Sequence, residues 1–587
     1  MNVAGQIYNA QGTGEGLLKT TTWGRRLAFL ALFALLVAGT ALANGNKPKL
    51  SKDLEALKGG HNGATVDVII QFTQTPTAAH HQKVRNQGGI LKTKLDFIKA
   101  AHYSVPLEAL DALAGDPDVA YISPNRSLRG AMNSTVTSVN ADLANASGWN
   151  GAGIGVAVLD SGVTAVDDLN SNGNTNPSRV VYSQSFVPGD TSVNDAFGHG
   201  THVAGIIAGN GYDSSLASYA NIYQGIAPKA NIINLRVLDA NGASVDSSVI
   251  AAIQQAIALQ STYNIRVMNL SLSRGVYESY TLDPLCQAVE AAWNAGIVVV
   301  SAAGNMGEYY ASGTQGYATI GSPGNDPYVI TVGATNNHGS GTQAAQTMTS
   351  YSSKGPTALD HIVKPDLVAP GNAVVSLMAS SNTTLITTYP GLAIYPCDTT
   401  LTNCGPAYGQ SQYLRLSGTS MATPVVCGVA ALVLQQTPSL TPDQVKARLM
   451  KTAWKGFGSS TTATNLTTGL TFQIDQDIFS IGAGAVDASA ALADTSLAPA
   501  TVGSALSPTA VFDPTTNSVS ISGAPGTVWN NSTVWANSVV WGNSVVWGNS
   551  VVWGNSVVWG NSVVWGNSVV WGNSVVWGNS SGLGDGN

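Results

Sequence analysis

Three side chains that could do chemistry together stand at the borders of apolar segments. Asp160 ends the run GIGVAVLD, His199 lies in GHGTHVAGIIAG, and Ser420 lies in LSGTSMATPVVCGVAALVLQ. Taken singly, Asp160 is equally well explained as a turn former, and Ser420 as an ordinary helix N-cap. A histidine that opens a buried helix between two glycines is the most suggestive of the three. Each residue alone leaves a purely structural role open.

The combination of the three side chains points to nucleophilic catalysis. A neutral serine hydroxyl is a weak nucleophile, so it needs an imidazole to accept its proton and a carboxylate to hold that imidazole in the right tautomer. The chain supplies all three, in the order Asp160, His199, Ser420. This order differs among unrelated hydrolase folds and is the one found in subtilisin.

The segments around these residues resemble the subtilisin-like serine proteases, or subtilases. AVLDSGV, GHGTHVAGIIAG and SGTSMATPVVCGVAAL are similar to the three catalytic motifs of that family nearly letter for letter. Four further stretches are similar as well: NLSLS at 269–273, SAAGN at 301–305, YSSKGP at 351–356 and KPDLVAPG at 364–371. The resemblance covers about residues 140–495 and implies a serine endopeptidase acting on proteins or peptides.

The resemblance also implies a role for each site residue. Asp160 would orient His199, His199 would act as general base and then general acid, and Ser420 would attack the scissile carbonyl. Asn305, which ends SAAGN, would donate its side-chain amide to the oxyanion. His202 is the rival imidazole, but in the matching motif the first histidine is catalytic and the second packs at the helix start.

Two short segments are expected to bind substrate. By the resemblance, Ser271, Leu272 and Ser273 would form an exposed edge that pairs with an extended peptide by strand addition. Most relatives carry glycine where this chain has Ser273, which affects the depth of the adjoining subsite. The small residues Ala302, Ala303 and Gly304 would line a primary pocket with room for a large apolar side chain. An insertion around residues 378–415 is expected to shape the approach to the site.

The four cysteines are too few for a disulfide scaffold and form no CxxC zinc pattern. Cys397 and Cys404 bracket a short polar stretch and are candidates for a local disulfide in an oxidising compartment. Cys286 and Cys427 lie in apolar helical patterns, which favours small buried hydrophobes. The expected chemistry requires no cofactor. Calcium is common in the family, but no ligands can be identified, and Asp190 and Asp195 are better explained as loop carboxylates in water than as metal ligands.

The elements that must position these residues follow two different patterns. Residues 153–491 alternate near-continuous apolar strands with helical segments, which predicts an α/β fold with a doubly wound, mostly parallel sheet of subtilisin type. Ligands of such sheets collect beyond the carboxyl ends of the strands. Residues 50–129 instead predict a small α+β unit, and the resemblance implies a ferredoxin-like inhibitory propeptide that assists folding and blocks the cleft.

The charge is distributed unevenly between these parts. The chain of 587 residues has a net charge of -7, but residues 1–130 carry +5 and residues 131–587 carry -12. Opposite charges favour association of a propeptide with the rest of the chain at low salt. Autocleavage is predicted between about Asn125 and Ser134. A nucleic-acid partner is not supported, because the larger part is acidic and has no basic stripe.

The first 43 residues are expected to be a leader. Residues 27–43, LAFLALFALLVAGTALA, follow Arg25 and Arg26 and end in small residues, as secretory signals do. A membrane anchor needs about 20 apolar residues, so export to a secreted or cell-surface location is the simpler explanation. The unusually long segment before Arg25 is explained equally well by a weak twin-arginine signal or by a misassigned start codon.

The other end of the sequence is a six-residue repeat. VVWGNS units run over residues 527–580 and hold nine of the 13 tryptophans. Such a period occurs in parallel β-helices, so a short β-solenoid or stacked-strand tail is favoured over a disordered low-complexity tail. Repeated tryptophan motivates a hypothesis of surface attachment or self-association, and adhesion, with the protease serving maturation, is the alternative function.

The predicted organisation has six parts. They are a leader at 1–43, an inhibitory propeptide at 44–130, the catalytic domain at 131–495, a linker at 496–526, the repeat at 527–580 and a tail at 581–587. A catalytically silent binding module is disfavoured by the complete set of catalytic residues. A dinucleotide site is excluded by position, because the Gly-rich GWNGAGIG precedes the first strand of the sheet instead of following it.

Overall fold

The computed structural model describes residues 49–51, 54, 65–124, 131–171, 177–216, 219–309, 314–397, 404–466, 468–513, 518–522 and 585–586. Contacts divide the chain into two compact units, Met1–Ser127 and Leu128–Asn587. The predicted leader, the hexapeptide repeat and residues 125–130 of the predicted autocleavage window lie outside the described residues.

The described residues of the first unit form a four-stranded antiparallel sheet and two α-helices. Its elements are β1 (Thr65–Phe72), α1 (Ala78–Asn86), β2 (Ile90–Leu95), β3 (Ala100–Pro106), α2 (Leu110–Gly115) and β4 (Val119–Pro124). The strand order is β2-β3-β1-β4. Because side chains alternate across a strand, Val68, Ile70 and Phe72 of β1 are buried in a core of their own. The described helices and strands of this part agree with the small α+β unit predicted for residues 50–129.

The second unit is built on an eight-stranded, mostly parallel sheet. Its strands are β5 (Gly155–Asp160), β6 (Val180–Ser185), β7 (Asn231–Arg236), β8 (Ile265–Leu270), β9 (Val298–Ala302), β12 (Ile330–Asn336), β13 (Thr347–Met348) and β14 (Leu367–Pro370). The order is β13-β12-β9-β8-β5-β7-β6, with β14 paired to β12, and only β13 runs antiparallel to its neighbour. The near-continuous apolar strands that the sequence predicted for residues 153–491 correspond to β5, β7, β8, β9 and β12. The edge strand β6, VVYSQS, is half exposed and lacks such a run, which is why its sequence did not stand out.

Helices cover this sheet. They are α3 (Ala131–Ser138), α4 (Ala141–Ala146), α5 (Gly200–Ala208), α6 (Tyr212–Leu216), α7 (Asp246–Tyr263), α8 (Pro284–Asn294), α9 (Thr384–Thr388), α10 (Thr419–Gln436), α11 (Pro442–Thr452), α12 (Ile478–Ile481) and α13 (Ala488–Ala493). The helix α10 is buried from Thr419 to Leu434 and packs against α5, β8, β9 and β12. Its apolar sequence therefore makes it the central core helix, and Ser420 lies in its first turn.

Smaller sheets surround the large one. The remaining strands are β10 (Glu308–Tyr309), β11 (Thr314–Gln315), β15 (Val374–Leu377), β16 (Ala393–Ile394), β17 (Tyr413–Leu416), β18 (Ser460–Asn465), β19 (Thr471–Asp475), β20 (Thr509–Asp513), β21 (Ser518–Ser522) and β22 (Asp585–Gly586). They form the sheets β10-β11, β15-β17-β16, β19-β18-β22 and β20-β21.

The described part of the predicted linker at 496–526 is not a free connector. Ala505, Ser507 and Ala510 are buried, and the Ser507 hydroxyl donates to Asp366 at 2.5 Å. Asp366 also pairs with the buried ammonium groups of Lys364 and Lys446, at 2.7 and 3.2 Å. A composition rich in Ser, Thr, Ala and Pro suggests a linker. Composition does not reveal that the Ser507 hydroxyl donates a hydrogen bond to the buried carboxylate of Asp366.

Candidate active site

Asp160 and His199 form a buried pair at the carboxyl end of β5. The first is the last residue of that strand, and the second directly precedes α5. His199 Nδ1 lies 2.7 Å from Asp160 Oδ1, with side-chain exposures of 0% and 1%. The same carboxylate oxygen accepts a hydrogen bond of 2.7 Å from the backbone N–H of Ser161. A carboxylate in this position can hold the imidazole in one tautomer and stabilise its protonated form.

Asp195 links the motifs around Asp160 and His199, a contact that no local sequence pattern predicted. The expectation of a loop carboxylate in water is wrong, because Asp195 is buried. Its carboxylate accepts hydrogen bonds from the Ser161 hydroxyl at 2.8 Å and from the backbone N–H groups of Gly198 and Thr201 at 2.6 and 2.8 Å. Burial raises the pKa of this carboxyl, while these three donors act in the opposite direction. A carboxylate five residues before the first residue of α5 was the available signal, since acids favour helix N-termini.

Asp190, the other acidic residue of this loop, is exposed as expected. Its side chain is 45% exposed and lies 2.8 Å from Arg236 Nη1. Among the described residues, no group of three or more His, Cys, Asp or Glu side chains is arranged to hold a metal ion.

His202 is held in a different environment from His199. Its Nε2 lies 3.1 Å from the carbonyl oxygen of Val374, and the ring is buried in α5. Burial, with a smaller contribution from His199, lowers the pKa of His202 to about 3. A neutral imidazole bonded to a backbone carbonyl packs the helix and is unsuited to exchange protons near neutral pH.

Ser420 and Asn305 meet at the start of α10. Asn305 follows the end of β9, and its side-chain oxygen accepts hydrogen bonds from Thr419, at 2.8 Å from the backbone N–H and 3.0 Å from the hydroxyl. The Thr419 hydroxyl oxygen also accepts from the N–H of Gly304 at 3.2 Å. Thr419 therefore fixes the orientation of the Asn305 amide, a role the motif SGTS did not reveal.

The amide nitrogen of Asn305 is buried and has no hydrogen-bond partner among the described residues. A buried N–H₂ group without an acceptor costs free energy, about 1–3 kcal/mol. Its orientation leaves it 3.2 Å from the position that a β-carbon on Gly418 would take, so it lies beside the backbone that leads to Ser420. An unpaired donor at this place can serve a developing negative charge on a substrate oxygen.

The predicted peptide-binding segment follows the carboxyl end of β8. Ser271 and Leu272 are buried and Ser273 is half-buried, so the expected exposed edge does not extend to the first two side chains. The Ser271 hydroxyl donates to the carbonyl oxygen of Ser420 at 2.8 Å. This bond brings the segment against the backbone of Ser420.

The predicted pocket residues lie next to that segment. Ala302 and Ala303 are buried at the end of β9, and Gly304 has a φ of +107°. A β-carbon on Gly304 would stand 2.9 Å from Ser353 Oγ and 3.6 Å from Ser273 Oγ. Glycine is favoured here by the backbone conformation and by the close approach of Ser353, whereas the distance to Ser273 is an ordinary contact.

The insertion at 378–415 contains the predicted disulfide. Cys397 and Cys404 are joined, as the sequence indicated. Backbone N–H groups of Thr384 and Leu385 donate to the carbonyls of Ala196 and Phe197 at 3.1 and 3.0 Å. The insertion is thus attached to the loop that immediately precedes His199.

The two remaining cysteines are buried thiols in helices. Cys286 lies in α8 and Cys427 in α10, and each is fully buried. Burial raises the pKa of both thiols. They are therefore packing residues, as predicted, and not reactive thiolates.

Comparison with known proteins gives a consistent result. The model of the Subtilase family matches residues 151–509. Serine protease AprX of Bacillus subtilis is 33% identical over 408 residues, 66% of this chain and 83% of the relative. Subtilisin E of the same organism is 31% identical over 439 residues, 73% of this chain and 94% of the relative. The solved structure of Sphericase matches with 27% identity and a TM-score of 0.41, covering 58% of this chain and 92% of that one.

Proposed function

The chain belongs to the subtilase family of serine-type endopeptidases, and on that premise we propose that Asp160, His199 and Ser420 are its catalytic triad. The observation that carries the proposal is the buried 2.7 Å contact between His199 Nδ1 and Asp160 Oδ1. Nδ1–H donates to the carboxylate, which leaves Nε2 as the basic nitrogen. The helices α5 and α10 pack against each other, so the elements that carry His199 and Ser420 are neighbours.

The proposed reaction is acyl transfer through a serine ester. His199 Nε2 removes the proton of the Ser420 hydroxyl as its oxygen attacks the scissile carbonyl, and Asp160 stabilises the imidazolium that forms. The imidazolium then protonates the leaving amine, which departs as the carbon–nitrogen bond breaks. In the second half, His199 takes a proton from water, which hydrolyses the ester and restores the Ser420 hydroxyl.

The oxyanion of each tetrahedral intermediate would be bound by two donors. One is the amide N–H of Asn305, which is without a partner among the described residues and is oriented by Thr419. The other is the backbone N–H of Ser420, in the first turn of α10, where the helix dipole favours negative charge. These groups and the triad supply the chemistry, and we propose no cofactor for it. Structural calcium elsewhere in the chain stays an expectation without identified ligands.

Substrate binding is proposed to use the backbone of Ser271, Leu272 and Ser273. An extended peptide would add to this segment as a strand, with the side chain before the scissile bond in the pocket of Ala302, Ala303 and Gly304. The small size of these residues supports a preference for a large apolar side chain.

We further propose synthesis as an exported, autoprocessed zymogen. The first unit has the order βαββαβ with strands β2-β3-β1-β4, which supports a ferredoxin-like inhibitory propeptide. The charges of +5 and -12 on the two parts of the sequence favour its association with the protease part at low salt. The proposal of secretion is based on the signal-like residues 27–43. The proposed autocleavage site lies in the segment from Asn125 to Ser134.

Active-site labelling tests the proposed triad. A fluorophosphonate probe should label the processed wild-type protein, and labelling should be lost in Ser420→Ala. Ser417→Ala, a change at a neighbouring buried serine, serves as the matched control and should retain labelling. Absence of labelling in the processed wild type, or equal labelling of Ser420→Ala, would contradict the proposal.

A further inference from the structure

A two-residue strand from the far end of the sequence is attached to the catalytic unit. Asp585–Gly586, strand β22, pairs antiparallel with the end of β18, with Thr464 opposite Gly586 and Asn465 opposite Asp585. The preceding described strand, β21, ends at Ser522. About 60 residues, including the whole hexapeptide repeat, therefore lie between β21 and β22 in the sequence.

Asp585 is bound through both its backbone and its side chain. The side-chain amide of Asn372 forms two hydrogen bonds with the backbone of Asp585. Asp585 N–H donates to Asn372 Oδ1 at 2.9 Å, and Asn372 Nδ2 donates to the Asp585 carbonyl at 3.0 Å. The carboxylate accepts from Ser350, at 2.6 Å from the backbone N–H and 2.5 Å from the hydroxyl. Asp585 is buried, with 4% exposure. Its polar groups are thus satisfied by two segments of the catalytic unit that are distant in sequence.

A buried lysine offsets negative charge around the Asp585 carboxylate. The Ser350 hydroxyl lies within hydrogen-bond distance of both Asp585 and Glu308 and, having one proton, donates to one of them at a time, so two carboxyl groups are close together. The buried ammonium of Lys354 donates to the carbonyls of Gly307, Ser350 and Ser352 and offsets this negative charge. Burial raises the pKa of Asp585, and the hydrogen bonds from Ser350 act against that rise. A neutral side chain without an acceptor would leave the Ser350 N–H unpaired in a buried place, at a cost of about 1–3 kcal/mol.

We propose that Asp585–Gly586 is a clip that docks in this receptor of Ser350, Asn372 and the end of β18 and thereby anchors the end of the sequence that follows the repeat to the catalytic unit. The occupant is the chain's own segment and not that of a second copy. The clip and its receptor belong to one chain, and about 60 residues separate β21 from β22; an unstructured chain of that length would have a root-mean-square reach of about 45 Å, an upper value that a stacked repeat would shorten. Such a tether corresponds to a local concentration in the millimolar range, which favours docking within one molecule.

The receptor braces two segments of the active site. Ser350 begins the stretch whose Ser353 accepts a hydrogen bond from Met306 at 3.1 Å, next to Asn305. Asn372 follows Gly371, whose carbonyl accepts from the N–H of Gly418 at 2.9 Å, two residues before Ser420. The clip therefore joins the end of the repeat segment to the backbone that supports both the pocket and the nucleophile.

Disulfide trapping in the full chain tests the register of the clip. In a Ser420→Ala background, which prevents self-digestion, Thr464→Cys with Gly586→Cys should form a disulfide. The matched control, Thr462→Cys with Gly586→Cys, places the first thiol two residues along the same face of β18. The native thiols do not compete, because Cys286 and Cys427 are buried and Cys397 is already paired with Cys404.

The matched pair should be oxidised at least tenfold faster than the control, within monomers, and adding Asp585→Ala should slow it about tenfold. Equal rates for the two pairs, indifference to Asp585→Ala, or trapping only between two chains would overturn the clip. Thermal unfolding of each variant identifies failure to fold.

A second measurement avoids any change at Gly586. Hydrogen exchange of the Ser350 amide should be at least tenfold faster in Asp585→Ala than in the otherwise identical parent. Asp585→Asn, which keeps one acceptor oxygen, should give an intermediate rate. Unchanged exchange in a folded Asp585→Ala protein would also overturn the proposal.

Discussion

The hydroxyl of Ser161 donates a hydrogen bond of 2.8 Å to the buried carboxylate of Asp195. Ser161 follows Asp160 of the proposed triad, and Asp195 also accepts from the backbone around His199, at Gly198 and Thr201. One carboxylate therefore holds together the two loops that must keep Asp160 and His199 in contact.

Removing this carboxylate should impair catalysis more than substrate binding. We expect Asp195→Ala to lower kcat about 10- to 100-fold with KM changed less than twofold, because charge-assisted hydrogen bonds contribute about 1.5–3 kcal/mol each. Asp195→Asn, which retains one acceptor, should be intermediate. Steady-state kinetics on a peptide substrate measure both constants, and the exposed Asp142→Asn serves as control. An unchanged kcat in folded Asp195→Ala would contradict this role.

We expect the Asn305 amide to bind the oxyanion of the transition state and to contribute little to binding of the ground-state substrate. Asn305→Ala is expected to lower kcat by about 10²–10³, the loss known for removal of one oxyanion donor from subtilisin itself, with little change in KM. Asn305→Asp keeps the acceptor for Thr419 but has no N–H donor, so its kcat should fall at least as far. If Asn305→Asp retained wild-type kcat, the amide would not be the donor.

Ser273 should restrict the pocket beside Gly304. Its hydroxyl oxygen lies 3.2 Å from the position a β-carbon on Gly321 would take and 3.6 Å from the corresponding position on Gly304, so it stands between the two glycines. Ser273→Gly should raise kcat/KM several-fold for peptides with a bulky apolar residue before the scissile bond, relative to peptides with alanine there. Ser353→Gly, which removes the other hydroxyl close to Gly304, is a useful comparison. A parallel change for both peptides would argue against a role in selectivity.

The ion cluster of Lys364, Asp366 and Lys446 should make stability depend on pH. Burial lowers the pKa of Lys446 to about 7 from 10.5, so between these values the unfolded chain binds more protons than the folded one. Stability must then rise with pH across this window and fall as pH drops towards 7.

Two lysine variants test whether titration of Lys446 causes this pH dependence of stability. In the Ser420→Ala background, the rise in Tm between pH 7.5 and 9.5 should be smaller in Lys446→Met than in the parent. Lys451→Met, on the same helix but with 44% of its side chain exposed, should keep the parental dependence. Identical pH dependence in all three proteins would show that Lys446 does not titrate in this range.

Local sequence was sufficient for the elements that bury apolar side chains continuously. The runs that became β5, β7, β8, β9 and β12, and the helix α10, could be recognised because burial on all sides demands uninterrupted apolar residues. The motifs around Asp160, His199 and Ser420 carried the family and the candidate triad, because catalysis requires particular side chains at particular strand and helix ends. The edge strand β6 was missed, since none of its residues is fully buried.

Tertiary structure alone decided the contacts that depend on residues distant in sequence. Asp195 resembles any loop acid until folding buries it against Ser161, and Ser507 resembles a linker residue until Asp366 needs its hydroxyl. The pairing of Asp585 with Ser350 spans 235 residues, and no local pattern encodes it. A hydrogen bond between remote segments depends on where the packed core brings them, and that position is a property of the whole fold and not of either segment.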